Sequence, residues 1–543
     1  MSDVHSFSTV AAANIQRSSF NRDHGYKTTF DSGYLIPCFV DEVLPGDTFN
    51  LDANVFARLS TPVVPIMDNI YVETFFFFVP TRLVWDNFRK LMGERDNPGD
   101  SIDYVVPQLR APDGFKVGSL ADYFGLPVNV ENLSVNALPF RAYNLIYKEW
   151  FRDENLVDSP YITKGDETTL YEYDEFGQGI EYPLFRRGKR HDYFTSALPW
   201  PQKGPGVDLP IGGLSPVITG ENHGVTAEPL RFAFANGATN PNIFVPNGSS
   251  ASLGVSASAS DSSGSARMFG GLGVGEGTEV TPANLWANLS QTSAVSINSF
   301  RHAMMLQQLL ERDARGGTRL RELILSHFGT FAPDFRLDRP EFLGGSSGRL
   351  NIHQVAQTSS SDSATPQGNL AAYGVYADSR HGFTKSFVEH GYVIGLINVR
   401  ADLSYQQGIE RMWSRHTRYD FYWPTLAHLG EQEVLNKEIY AQGNEHDDEV
   451  FGYQERYAEY RYKPSLVTGK LRSGTGNSLD VWHLAQHFDN LPALNDEFIA
   501  DNPPIKRALA VQNEPEFILD MWFNLNCVRP MPVHGIPGFQ SHF

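Results

Sequence analysis

Hydrophobic and polar residues alternate strictly in two stretches that lie hundreds of residues apart. Near the start, Phe49, Leu51, Ala53 and Val55 alternate with Thr48, Asn50, Asp52 and Asn54. Near the end, Phe517, Leu519, Met521, Phe523, Leu525 and Cys527 alternate with Asp520, Trp522, Asn524 and Asn526. A period of two puts alternate side chains on opposite faces, so both stretches predict strands with one buried face. The stretch Asn69–Val79, NIYVETFFFFV, is different. Ile70, Val72, Phe76 and Phe78 share one face, while Tyr71, Phe75, Phe77 and Val79 share the other. A strand apolar on both faces is covered on both, which predicts a central strand with a further layer against it. Tyr392–Leu403 predicts another strand, with Val393, Ile397, Val399, Ala401 and Leu403 on one face. Residues 1–45 show only isolated aromatics among Ser, Thr, Asn and Gly, and predict an N-terminal arm lying on another surface or on a neighbouring subunit.

Helical spacing appears between these strands. Trp85, Phe88 and Met92 form a stripe over Thr81–Met92, with Gly93 as the stop. Phe140, Tyr143, Tyr147 and Trp150 form a second over Phe140–Arg152, behind Pro139. Ile297, Phe300, Met304 and Leu310 form a third, broken at Gly316-Gly317 and resumed by Leu320, Leu323, Ile324 and Phe328. Between the second and third helices, Pro246–Gly277 is mostly Gly, Ser and Ala. That composition buries too little apolar surface to offset ordering entropy alone. It predicts a surface insertion over 219–282. No internal repeat is visible, which argues against a propeller or solenoid. A small antiparallel sheet core with oversized insertions predicts a mainly β fold. The best match is an eight-stranded jelly-roll barrel with long, partly helical insertions between strands.

Composition narrows the function. The chain has 543 residues and a formal charge of −19. That charge argues against a protein that coats nucleic acid by itself, since such binding rests on phosphate neutralisation. Aromatics reach 13%, which favours sheets and large buried interfaces. Two cysteines, Cys38 and Cys527, are too few for a disulfide scaffold, so buried free thiols and assembly in a reducing cytoplasm are expected, with a single Cys38–Cys527 bridge as the alternative. The first residues lack the basic and apolar regions of a signal peptide, and no run has the length of a membrane span.

Candidate chemistry is sparse. No P-loop, GxSxG, HExxH or paired CxxC occurs, so no catalytic, cofactor or metal site is expected. The run Glu445-His446-Asp447-Asp448-Glu449 lacks EF-hand spacing and reads as a solvated acidic loop. The densest unusual segment is RRGKRHDYFTSALPWPQKG (186–204). Arg186, Arg187, Lys189 and Arg190 crowd into five positions, and Pro199 and Pro201 stiffen an extended crossing around Trp200. A structural corner with Asp192 balancing the bases is one reading, and a polyanion contact is the other. Residues 301–350 carry eight Arg against six acids, so Arg312, Arg315 and Arg319 join the polyanion candidates. A carbohydrate-active β-sandwich enzyme or a glycan-binding module also remains open, although nothing points to a reacting pair.

The segment 186–204 resembles the corresponding segment of major capsid proteins of the Microviridae, small single-stranded DNA phages, most closely the gokushovirus branch. The same resemblance runs through FNRDHGYKTTFDSGYLIPCFVDEVLPGDTF (20–49), LPFRAYNLIYKEWFRDENL (138–156), RPEFLGGSSGRLNIHQVAQTSS (339–360) and VRPMPVHGIPG (528–538), and thins out between about Asn236 and Pro282. It implies a jelly-roll capsid domain over 46–543 and self-assembly into a T=1 icosahedral shell in the host bacterial cytoplasm. It further implies a circular single-stranded DNA genome, a small basic DNA-binding internal protein as partner, and no membrane insertion. The insertion over 219–282 would be a threefold protrusion that meets a host cell-surface receptor. In it, Leu253 and Val255 would lie on small paired strands, and Phe244, Met268 and Phe269 would plug its centre.

Overall fold

The computed structural model describes residues 15–207, 217–219, 232–234, 239–240, 280–282, 285–287 and 297–534, except Phe176, Ser360 and 362–366. The chain divides into two units, 1–203 with 311–543 and 204–310. In the first unit ten strands form two antiparallel sheets: β1 (Ser18–Asn21), β2 (His24–Phe30), β3 (Ile36–Val43), β4 (Thr48–Leu59), β5 (Ile70–Pro80), β6 (Glu341–Arg349), β7 (Asn351–Ala356), β8 (Leu370–Ser386), β9 (Gly391–Ala401) and β10 (Phe517–Arg529). One sheet runs β1-β10-β4-β8-β7, with β2 pairing the same edge of β10 as β1. The other runs β6-β5-β9-β3.

The alternation read from sequence sets the register. In β10 the side chains of Phe517, Leu519, Met521, Phe523, Leu525 and Cys527 are buried, while Ile518, Asp520, Trp522 and Asn524 are exposed. In β4 the same alternation buries Phe49, Leu51, Ala53 and Val55. The buried faces of the two sheets meet through aromatic rings: Phe39 lies 5.2 Å from Phe523, and Phe76 lies 5.7 Å from Phe383. Gly395 makes room for this contact, because a Cβ there would stand 2.8 Å from Phe76 and 2.9 Å from Phe39. Each Phe buried this way stabilises the fold by about 1.5–3 kcal/mol.

The second face of β5 is covered by helix α1 (Leu138–Ile146) and the wider turn Tyr147–Phe151 that extends it. Phe77 packs on Trp150 at 5.3 Å, and Phe75 on Phe151 at 5.4 Å. The extra layer predicted from NIYVETFFFFV is therefore this helical one. Strand β9, at the centre of its sheet, is buried at every position rather than on one face.

Three expectations differ from the structure. The arm expected over 1–45 is sheet from Ser18 onward: β1 and β2 pair with β10, and β3 pairs with β9. Its isolated aromatics find partners hundreds of residues away, so local composition hid the strands. The helix expected over Thr81–Met92 splits into a tight turn, Thr81–Leu83, and one helical turn, Phe88–Leu91. Leu83, Val84 and Trp85 are all buried, which a single helical stripe cannot achieve, and Met92 is exposed. The stripe of the third helix, α2 (Ile297–Arg315), is exposed at Ile297, Phe300 and Met304. Helix α3 (Leu320–Phe328) follows after Gly316-Gly317 as expected.

In the unit 204–310, Phe232–Phe234 pairs with Thr239–Asn240 and Val280–Pro282, and Leu285–Ala287 pairs with Val217–Thr219. Phe244, Leu253, Val255, Met268 and Phe269 lie outside the described residues. Cys38 in β3 and Cys527 in β10 are both free and buried, and burial pushes both thiols above the ordinary range. No helix among the described residues is long and apolar enough to cross a membrane.

Candidate functional site

The basic crossing is extended over 185–189, but it turns at 193–196 and bends through 199–205, where the prolines predict extended backbone. Leu35 N–H donates to Phe185 O and Arg187 N–H to Gly33 O, at 2.9 and 2.8 Å. On the other side, Lys189 N–H donates to Ile499 O and Asp501 N–H to Arg187 O, both at 2.8 Å. The segment is thus stitched between residues 33–35 and 499–501. Gly33 permits this closeness, since its φ is +80° and a Cβ would sit 2.0 Å from Asp501 O.

The side chains fan out onto the sheet. Glu73, buried in β5, is the hub. It accepts from Arg187, from Arg400 at 2.8 Å, from Arg190 at 3.1 Å and from Ser347 at 3.3 Å. Burial raises the Glu73 pKa, but Arg187, Arg400 and Arg190 outweigh it, so the carboxylate sits below its ordinary value. Arg187 is brought down to about 10 by burial and by neighbouring Arg400. Asp501 is raised to about 7 because burial outweighs Arg400, Lys189, Arg187 and Arg186 around it. Lys189 is lowered to about 8, also by burial, and donates to Gln486 at 2.9 Å. Arg186 stacks on Tyr34 at 4.0 Å and Arg190 on Tyr71 at 4.1 Å. Asp192 balances the bases only in part, its charge acting on Lys189 behind that of Asp501. It caps its own turn, accepting from Phe194 N–H at 2.9 Å and Thr195 N–H at 2.8 Å.

The second basic segment reaches the same place. Arg315 pairs bidentately with Glu431 and donates to Gln454 at 3.1 Å. Arg319 pairs with Glu154 at 2.5 Å and Glu322 at 3.2 Å. Arg187, Lys189, Arg190, Arg315, Arg319 and Arg400 together line a cavity of about 690 Å³. Phe75, Phe77, Trp150 and Phe151 form its aromatic wall. The Nε–H groups of Arg152, Arg190, Arg319 and Arg400, all lining it, are buried without a hydrogen-bond partner. Five of the seven candidate bases therefore converge. Arg186 faces a different cavity, of about 930 Å³, and Arg312 is exposed on α2.

Sequence reasoning missed Glu73, Arg400 and Asp501. A usable signal existed: Glu73 and Arg400 are lone charges of opposite sign in two otherwise uncharged, mostly apolar strands. The run Glu445–Glu449 forms an exposed turn in which Lys437 pairs with Asp448 at 2.5 Å. Among the described residues no group of three His, Cys, Asp or Glu side chains is placed to hold a metal ion.

Comparison with known proteins sets the context. The family model described as "Capsid protein (F protein)" matches residues 8–539. The chain is 48% identical to "Capsid protein VP1" of Bdellovibrio phage phiMH2K, over 99% of this chain and 98% of that one. It is 47% identical to "Capsid protein VP1" of Chlamydia phage 1, over 98% and 97%. To "Capsid protein VP1" of Spiroplasma virus 4 it is 38% identical, over 99% and 98%.

Proposed function

Because this chain belongs to the capsid protein (F protein) family of the Microviridae, a structural family and not an enzyme family, we propose that it forms a T=1 icosahedral shell of about sixty copies around a single-stranded DNA genome. The observation that carries this reading is the collinear match along nearly the whole chain. The two antiparallel sheets sharing one aromatic core support a jelly-roll barrel as the shell-forming domain. The glycan-directed alternatives draw no support from any site described above. Light scattering and electron microscopy of the purified full-length chain test the proposal. Closed particles are expected, and a persistent monomer at high concentration would overturn it.

Packaging follows from charge. A shell of chains each carrying −19 holds on the order of a thousand negative charges, which opposes DNA entry. A small basic internal protein would supply the bulk of the neutralisation. Local phosphate contact would fall to the bases of the first, basic cavity, to Arg186 in the second cavity and to exposed Arg312 on α2. Lys189→Gln with Arg312→Gln removes two positive charges without touching the Glu73 hub. Such shells should form in normal yield yet hold at least twofold less DNA, read as absorbance per particle. Unchanged DNA content would leave these bases purely structural.

The Gly/Ser/Ala-rich stretch within 219–282 is proposed as an exterior protrusion that meets the host. Its composition supports exposure, and loops of this kind carry recognition in many folds. Replacing Pro246–Gly277 by a short Gly/Ser turn should give intact, DNA-filled particles that no longer adsorb to host cells. Normal adsorption would remove the assignment, and failed assembly would make the stretch structural instead.

A further inference from the structure

Lys189 is the only lysine among the described residues that is buried, at 7% exposed. A buried ammonium is ordinarily held by a carboxylate. Its Nζ meets neutral partners instead. It donates to the side-chain amide of Gln486, with Oε1 at 2.9 Å, and stands 4.3 Å from the centre of the Phe498 ring. A C=O bond is about 1.23 Å long, so the Gln486 Cδ lies about 3–4 Å from Nζ, which reaches the ~3–3.5 Å of a near-attack geometry. The amide is also held in place. Gln486 N–H donates to Ser404 O at 2.9 Å, and Gln486 O accepts from Gln406 Nε2 at 3.2 Å.

The surroundings suit a reaction between amine and amide. Burial favours the neutral amine, which alone has a lone pair to attack with, and holds Lys189 at about 8. A carboxyl stands beside the pair. Lys189 N–H donates to Ile499 O and Asp501 N–H to Arg187 O, an antiparallel pairing that puts Lys189 and Asp501 on one face as diagonal neighbours. Asp501 is 1% exposed, and its Oδ2 has no hydrogen-bond partner among the described residues. Burial raises it to about 7, where a carboxyl can both take and return a proton. Lys189, Gln486 and Phe498 also line the cavity of about 930 Å³, which gives a small leaving group a way out.

We propose that Lys189 and Gln486 close an intramolecular isopeptide bond. The neutral Nζ attacks Cδ of Gln486, and the proton it sheds passes to Asp501. The carbonyl re-forms as the Cδ–Nε2 bond breaks, and Asp501 returns the proton to the departing nitrogen, which leaves as ammonia. One amide is exchanged for another, so nothing else is consumed. The bond ties the basic crossing to a loop 297 positions further along the chain and restricts the unfolded state, as a disulfide would. It is independent of the shell reading. A linked Lys189 carries no charge, so the same measurement separates this role from the phosphate contact given to Lys189 above.

The test is the mass of the native full-length chain, measured whole after denaturation. Most chains should be lighter than their sequence by one ammonia. Trypsin should leave the bond after Lys189 uncut and release one branched peptide that carries both Lys189 and Gln486. Asp501→Asn keeps the side-chain size and removes the proton carrier, so that chain should keep its sequence mass and be cut after Lys189. A native chain of full sequence mass that is cut after Lys189 would overturn the proposal. So would an ammonia loss without the branched peptide, as an Asn succinimide gives. A linked Asp501→Asn chain would overturn the part given to the carboxyl.

Discussion

Glu73→Gln is expected to destabilise the folded chain by about 3–5 kcal/mol, the usual cost of removing one partner from a buried ion pair. The Glu73 side chain is 9% exposed and answers three guanidiniums at once, Arg187, Arg190 and Arg400. Gln keeps the shape and one acceptor but leaves Arg187 and Arg400 charged in a dry setting. Their side chains are 16% and 10% exposed, too little for water to replace the lost counter-charge. The loss should appear in chemical denaturation of unassembled chain and should barely respond to salt, because buried pairs are screened weakly. A cost under about 1 kcal/mol would mean that the hub behaves as a surface ion pair and that the crossing is held by its backbone bonds alone.

Removing residues 1–27 is expected to abolish soluble, folded chain, whereas removing 1–14 should leave folding intact. The longer deletion takes away β1 and the first half of β2, and with them the strands paired to one edge of β10. It also removes Tyr26, whose hydroxyl donates to Pro37 O at 3.0 Å and Tyr123 O at 3.1 Å. A long bare edge beside a hydrophobic face invites intermolecular pairing. Soluble yield should fall at least tenfold, with the remainder in aggregates, and size-exclusion chromatography with circular dichroism reads both. Wild-type melting of the 1–27 deletion would return these residues to the role of an assembly arm.

The legible parts of the fold were those where one strand carries its own pattern. β4 and β10 show strict alternation because one face of each is wet and the other is packed. β5 announced a second covering layer through four consecutive Phe. What stayed hidden depends on distant partners. β3 contains Pro37 and a bulge opposite Gly395/Leu396, so its eight residues carry no clean period. The basic crossing was visible as a cluster, yet its counter-charges were not. Glu73 and Asn398 face each other only through the β5–β9 register, and Arg187 reaches them from more than a hundred residues away. Arg315 and Arg319 joined the same cavity for a similar reason, through Glu431 and Glu154.

The pairing of β4 with β10 sets a schedule for biosynthesis. β4 ends at Leu59, and β10 begins at Phe517. A ribosome adding about 5–20 residues per second needs on the order of 20–90 s to cover that interval. Throughout it, one edge of β4 and its buried row Phe49, Leu51, Ala53 and Val55 lack their native cover, as do β1 and β2, which pair only with β10. The six-stranded sheet therefore closes only once β10 has been made, and until then the nascent protein is a client for whatever holds unpaired strands apart in the cell. Products that end before β10 lack the strand that joins β1, β2 and β4 into one sheet.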